Sequence, residues 1–502
     1  MKKLLLFTLL GLFSLSLKAQ NVFVKDSLAV YLAKYMPQFE VPGMAVAIIK
    51  NGKIEVMKGF GVKEINKPEP VDENTLFMVA SNTKAFTGTL LAMLEADKKL
   101  SLDDHVIKYL PTFKLYDQYS TKEVNIRDLL THRVGLKTFQ GDFCYWNSNL
   151  SRSEVMEVFG KHKPVYPFRA GYGYCNAGFL TAGQIIPTVT GKSWEETLQD
   201  RLLTPLKMTR TLPLSLNFGI TPNHATPHTI YDGQLSTLPI PMIDNLAPAG
   251  SICSSVKDMT NWLIMQLDSG KFEGKQIVPY SALAQTRKGY NLISSSKSRL
   301  LPRNFTAYSL GWLIQDHAGR QIFQHSGGAD GFVTHTCFVP EEGLGMVILS
   351  NTDTNSLYDA LMYQILDAYM GQGYKDYAKI FLKNDQTEQQ QDANRLIKLH
   401  QKVKQQNPTG LPLMAYTGKF TNEIYGDAEI KLGEDGKLKL YLAHHPMSVL
   451  DVLGGHSFLC THGYKTLGIH ELNFVADGEN VTSFHLTVND FVEYDGYDFV
   501  RK

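Results

Sequence analysis

The sequence is poor in cysteine, with only Cys144, Cys175, Cys253, Cys337 and Cys460 among 502 residues. They form no CxxC pair, and an odd, scattered set is neither a disulfide framework nor a thiolate zinc site. No sign of charge dominates, since 50 Lys+Arg face 49 Asp+Glu. Without a basic excess there is no electrostatic footprint for nucleic acid as a main partner. Beyond residue 17 no apolar run is long enough to span a membrane. No fixed-period repeat is present, which removes solenoids and propellers. What remains is a chain that is 43% hydrophobic and 20% charged, as in soluble globular proteins. Its length can bury large cores over roughly two to four domains without staples.

The chain opens Met1-Lys2-Lys3, runs mainly apolar from Leu4 to Leu17, and continues Lys18-Ala19-Gln20. A basic start, a short apolar run and a small residue near its end describe a secretory signal peptide, expected over 1–19. The run is shorter than the roughly 18–20 residues of a spanning helix. The mature chain is therefore expected to be secreted, periplasmic in a Gram-negative host, with no stable membrane insertion. In an oxidising compartment at least one of the five thiols stays unpaired.

Periodicity places a helix over 22–39, broken at Pro42-Gly43. Met44–Ile49 and Ile54–Met57 flank Asn51-Gly52, a hairpin signal. Residues 100–250 read as short helices and loops. Strands return at 322–325, 332–339 and 345–349, and Leu357–Tyr369 reads as a closing helix. Hairpin, helical middle and returning strands predict an α+β fold, an antiparallel sheet flanked by helices. The expected catalytic unit is 20–373. A polar helical linker follows at 374–410, then a small all-β barrel or sandwich at 411–502, marked by Asp435-Gly436 and Asp477-Gly478 turns.

Chemistry concentrates at Ser81 and Lys84. Three residues apart at a helix start, their side chains share a face. A serine hydroxyl is a weak nucleophile that needs a neighbouring base. A lysine serves only if burial or nearby positive charge lowers its ammonium pKa. Taken alone, Ser81 reads as an N-cap. A lysine in the first turn nevertheless opposes the helix dipole, a broken local rule of the kind found at functional sites. Gly171-Tyr172-Gly173-Tyr174-Cys175-Asn176 precedes a helical run. Alone it reads as a core tyrosine before an Asn N-cap. If extended, it aims Tyr174 and Asn176 the same way, with Tyr174 relaying protons if cations lower its pKa. Gln324-His325-Ser326-Gly327-Gly328 follows a strand, and its glycines permit close backbone approach to a ligand. His224 and His228 are separated by Pro227, against a helical ligand pair. Six histidines between 444 and 485 show no metal-ligand spacing.

In this order, Ser81-x-x-Lys84, Tyr174-x-Asn176 and His325-Ser326-Gly327 resemble the three motifs of penicillin-recognising serine enzymes. The branch resembled is that of class C β-lactamases, D-aminopeptidases, DD-carboxypeptidases and esterases. Leu129–Leu136, Ala247-Pro248-Ala249-Gly250-Ser251 and Tyr308–Trp312 also match, and the likeness covers about 24–370. It implies a β-lactamase/transpeptidase-like fold with an all-helical part, and serine hydrolysis of an amide or ester. Residues 411–502 resemble a β-rich domain often appended to such enzymes. By resemblance Ser81 attacks the carbonyl, and Lys84 and Tyr174 share the proton work. Asn176 and His325 meet the substrate beside Gly327 and Gly328, and the oxyanion lies between the backbone N–H groups of Ser81 and Gly328. An acyl-enzyme forms and water resolves it. No cofactor or metal is implied. The partner is a small ester, amide or peptide. A non-hydrolytic penicillin-binding or sensor protein on the same scaffold is the alternative.

One departure matters. The third motif usually begins with lysine, a permanent cation suited to a substrate carboxylate, and here it begins with His325. Histidine is largely neutral at pH 7, which shifts weight from penicillins toward esters and peptides. Loops 137–170 and 210–246 are expected to shape the pocket, with Tyr145 and Trp146 as candidate lining residues.

Overall fold

In a computed structural model of the chain, residues 23–502 are described. The signal-peptide reading of 1–19 lies outside them. Helix α1 spans Leu28–Tyr35 and is entered through a π turn at Phe23–Ser27. The regular helix is thus shorter than the 22–39 expected.

Gly43–Lys50 (β1) and Lys53–Gly61 (β2) pair antiparallel. Asn51 and Gly52 turn between them with φ of 50° and 72°, the two positive values a two-residue type I′ hairpin needs. The middle of the chain is mainly helical around α2 (Thr83–Ala96) and α3 (Asn176–Thr190). The chain then returns as β3 (Asn291–Ser294), β4 (Thr306–Tyr308), β5 (Leu313–His317), β6 (Arg320–Ala329), β7 (Phe332–Val339) and β8 (Leu344–Ser350). One antiparallel sheet results, in the order β2-β1-β8-β7-β6-β5-β4-β3. The first hairpin therefore completes a sheet whose other strands lie about 250 residues later in sequence.

β1 shows why helices cover both faces. Its side chains alternate between two cores. Ala45, Ala47 and Ile49 face a cluster containing Phe86, Leu90 and Trp262. Met44, Val46 and Ile48 face another, built with Leu28 and Leu32 of α1 and with Leu361 and Ile365 of α4 (Leu357–Tyr369). A strand buried on both faces reads as an unbroken apolar run, as this one does.

The polar segment forms α5 (Tyr377–Lys404). It is docked at both ends. Tyr377, Ala378 and Leu382 join the cluster that α1 and α4 form on the sheet, whereas Leu396 and Leu399 pack on Leu453, Leu459 and Ile469. Eight further strands, from Gly418–Asn422 to Tyr497–Arg501, close into a barrel, with Phe420 opposite Arg501 across the seam. The interior is filled with aromatic rings, Phe484 and Phe499 stacking at 4.9 Å and Phe458 meeting Phe474 at 5.3 Å. Of the two architectures expected for this region, the barrel is the one formed.

Candidate active site

Ser81 lies in a 3₁₀ turn, Ala80–Asn82, directly before α2. Ala80 has a φ of 47°, a left-handed conformation that costs a non-glycine residue about 1–3 kcal/mol and recurs at functional sites. Ser81 is not the cap of α2, because the α-helix starts two residues later and its Asn82 cap position makes no side-chain capping bond.

Lys84 is completely buried. Its Nζ lies 2.6 Å from Asn176 Oδ1, 2.9 Å from the Ala249 carbonyl and 3.0 Å from Ser81 Oγ. Burial pulls its pKa down to about 7, against the opposing effect of Asp142. Asn176 is the first residue of α3, with Cys175 at the cap position, so it is not the N-cap allowed for above. Its amide is oriented from behind: Nδ2 donates to Asp142 Oδ2 at 2.5 Å, which leaves Oδ1 for Lys84. The Cys175 thiol, beside this site, is buried and pushed up to about 12, so it is no competing nucleophile.

Tyr174 stacks against His132, with centroids 4.4 Å apart, and His132 Nδ1 accepts the Cys175 N–H at 3.0 Å. Lys84 Nζ lies 4.6 Å from the Tyr174 ring centre. The condition set for a Tyr174 phenolate relay, a pKa lowered by cations, is not met. Burial dominates and holds the phenol well above its ordinary value, the neighbouring Ser81 hydroxyl offsetting only part. Tyr174 therefore keeps its proton, and Lys84 is the better base of the two.

Burial favours the neutral form of His325, on β6. Its Nδ1 lies 2.5 Å from the Ser326 carbonyl, which can only accept, so Nδ1 carries the hydrogen. Its Nε2, 2.9 Å from Tyr308 Oη, then accepts. Burial lowers its pKa to about 3, with Lys84 adding to the shift. At Gly327 an added Cβ would lie 2.2 Å from the Val79 carbonyl and 2.6 Å from Thr334 Oγ1. This strand passes so closely under the Ser81 turn that only glycine fits.

These residues open into a cleft of about 600 Å³. Ser81, Tyr174, Asn176, His325, Gly327 and Gly328 all line it, and Lys84 lies beneath its floor. Trp146 lines it, whereas Tyr145 is packed away in the core. Thr138, Phe139 and Asp142 come from the loop expected to shape the pocket, but no lining residue comes from 210–246. Among the described residues no lysine or arginine lines the cleft. Sequence reasoning missed Asp142, for which it offers no signal, and the Ala249 carbonyl, present only as part of a matching motif. It also missed Phe491, Val492 and Tyr494 of the barrel, which form the outer wall.

The Beta-lactamase family model matches residues 29–370. The chain belongs to the beta-lactamase family. Among curated proteins, the unguisins hydrolase ungD′ of Aspergillus campestris is 28% identical over 429 residues, which cover 80% of this chain and 77% of that one. Protein flp of Staphylococcus aureus is 28% identical over 323 residues, 62% of this chain and 60% of its own length. Among solved structures, the octameric penicillin-binding protein homologue from Pyrococcus abyssi superposes with a TM-score of 0.59 at 21% identity, covering 94% of this chain and 99% of that one. A D-stereospecific amidohydrolase from Streptomyces sp. gives a TM-score of 0.54 at 21% identity, covering 65% and 95%. At these identities the structural likenesses establish the beta-lactamase fold together with the appended barrel.

Proposed function

We propose that this beta-lactamase-family chain is an exported serine hydrolase of the class C-like branch, and that it cleaves esters, amides or peptides through an acyl-enzyme on Ser81. The observation that carries this reading is the set of three neighbours around the Lys84 amine. Two of them, Asn176 Oδ1 and the Ala249 carbonyl, are acceptors. A neutral amine donates its two hydrogens to them and turns its lone pair to the third, the Ser81 hydroxyl. Ser81 Oγ then bonds to the carbonyl carbon while its proton passes to Lys84 Nζ. Collapse of the tetrahedral adduct expels the leaving group, which takes up the proton through Lys84 and Tyr174 acting together. Water resolves the acyl-enzyme by the reverse proton path. Ser81 and Gly328 backbone N–H groups would hold the oxyanion.

The cleft also limits the substrate. Neutral His325 and the absence of a lining cation disfavour donors that need a carboxylate held at the third motif. The aromatic outer wall favours apolar acyl or side-chain groups. Relatives named as an unguisins hydrolase and a D-stereospecific amidohydrolase support hydrolysis. The signal-peptide reading of 1–19 supports export, which the N-terminal mass of the mature protein checks.

The test is a fluorophosphonate label followed over time, beside a panel of p-nitrophenyl esters, D-amino-acid amides and a penicillin. The hydrolase reading expects Ser81 to be labelled and neutral esters or amides to turn over faster than the penicillin. Ser81→Ala and Lys84→Ala should lose turnover to a similar degree, because the two act as a unit. A persistent penicillin adduct without turnover of any substrate would make the chain a sensor instead.

A further inference from the structure

The barrel and the Lys84 amine are joined by hydrogen bonds on the two sides of one short backbone segment. The residues involved centre on a short helix, Asp142–Tyr145, that follows Gly141 with its φ of 96°. One side of this helix faces the catalytic centre, where Asp142 fixes the Asn176 amide. The other side is held by the barrel. The Phe143 ring packs against both Tyr425 and His445, with centroids at 5.0 and 4.9 Å, and those two rings lie 5.8 Å from each other. His445 Nε2 meets the Trp146 carbonyl at 2.9 Å. Glu493, from the loop between the last two barrel strands, is 2% exposed. Its two oxygens accept the Gly141 N–H at 2.7 Å and the Phe143 N–H at 3.0 Å. Tyr497 Oη donates to the same carboxyl at 2.9 Å.

We propose that Glu493 is a positioning residue for the Ser81–Lys84 pair, acting from the barrel through Gly141, Asp142 and Asn176. The physical reason is that this four-residue helix cannot hold itself. It has too few internal hydrogen bonds to be stable alone, and its cap residue Gly141 has no side chain to satisfy the first amides. Glu493 supplies both acceptors from another domain. Its carboxyl group thereby sets where Asp142 stands, hence which way the Asn176 amide faces, hence where the Lys84 lone pair points. Outer partners of this kind fix geometry without touching substrate, and a misplacement of about 1 Å can cost about a hundredfold in rate. The inference rests on the hydrolase reading of Ser81 given above. It makes the barrel a structural part of the active site rather than an appended module.

The test uses the full chain and three variants. Glu493→Ala should lower kcat on a neutral ester about ten- to a hundredfold with KM changed less than threefold, and Glu493→Gln, which keeps one acceptor oxygen, should recover part of the loss. Phe484→Leu, in the barrel core and making no ring contact with Phe143, is the control: its melting temperature should fall while kcat stays within twofold. Lys84 is also read directly, by acetic anhydride labelling against pH with peptide mass spectrometry. Glu493→Ala should move the labelling midpoint of Lys84 upward as water reaches the amine. An unchanged midpoint overturns the proposal even if wild type hydrolyses none of the esters, and so does a kcat within twofold of an active wild type. Equal loss in Phe484→Leu overturns it as well, because the effect is then barrel stability alone. Failure of wild type to take the fluorophosphonate label counts against the hydrolase reading and leaves the midpoint measurement to decide the link.

Discussion

A lysine amine withdrawn from water gives up its proton more readily, and Lys84 is withdrawn completely. With its pKa near 7, the neutral base is available at physiological pH. Its protonation blocks attack, so the sign of the pH dependence follows. For an uncharged ester, kcat/KM should rise about tenfold per pH unit below about pH 7 and level off above it. A pH–rate profile checks this, and a flat profile from about pH 5 to 8 would remove Lys84 as the base. His325 supports a second prediction. Its neutral ring leaves the third motif without charge, so His325→Lys should favour a carboxylate-bearing donor. Relative kcat/KM for a donor carrying a free carboxylate over its methyl ester should rise about tenfold, the scale of one added charge-assisted contact of about 1.4 kcal/mol. No change in that ratio would show that the carboxylate is read elsewhere. At this scale the sequence was informative where one residue type implies one chemistry. Ser81, Lys84, Tyr174, Asn176 and His325 are brought to one cleft. Which of Lys84 and Tyr174 is the better base was not legible, because that depends on how completely each is buried.

Elements decide how close those residues come. The strand β6 carries His325 on one side of Gly327 and Gly328 on the other, and Gly327 meets the Val79 carbonyl just before the Ser81 turn. Both groups at that contact are backbone or fixed by hydrogen bonds, since Thr334 Oγ1 also lies 3.0 Å from the Val79 carbonyl. Gly327→Ala must therefore push strand and turn apart. Overpacking of this kind costs about 1–3 kcal/mol, so the melting temperature should drop by several degrees and fluorophosphonate labelling of Ser81 should fall at least tenfold. Labelling at the wild-type rate would mean that the contact is not part of the site. The elements themselves were readable wherever a periodic pattern had clear ends, as at Asn51-Gly52 and Leu357–Tyr369. The Asp142–Tyr145 helix was not, since four residues held by another domain leave no period to detect. Nor could the docking of α5 at both ends be read, because its apolar residues are too few to name their partners.

For the whole molecule, one cluster of buried side chains runs from the catalytic core through Phe143 into the barrel, so one pH-dependent stability should describe both. Ionisable groups hidden within that body set its shape, and they pull in opposite directions. Burial lowers His162 and His445 to about 4, and His325, His335 and His462 to about 3. Each favours the folded state above the unfolded histidine pKa of about 6.5 and loses that contribution as pH falls toward 3–4. Burial also raises Asp142 to about 6, Asp353 and Asp359 to about 7, and Glu493 to about 8. Their contribution is full below the unfolded carboxyl pKa of about 4 and disappears as pH rises to 6–8. Between about pH 4.5 and 6.5 the unfolded chain holds the extra histidine protons while the folded chain holds the extra carboxyl protons, and the two nearly cancel. Above about 6.5 only the carboxyls still differ, opposed by the single amine of Lys84, and stability declines. Below about 4.5 the histidines still differ, joined by carboxylates that hydrogen bonds hold low, such as Asp117 and Glu154, and it declines again. The melting temperature should therefore be nearly flat from about pH 4.5 to 6.5 and fall on both sides, with the alkaline fall already evident by pH 8. Differential scanning fluorimetry across that range reads it directly. A melting temperature that keeps climbing from pH 6.5 to 8 would mean that Asp353, Asp359 and Glu493 are ionised in the folded protein at little cost. Glu493→Gln should flatten part of the alkaline fall, because it removes the group that titrates last.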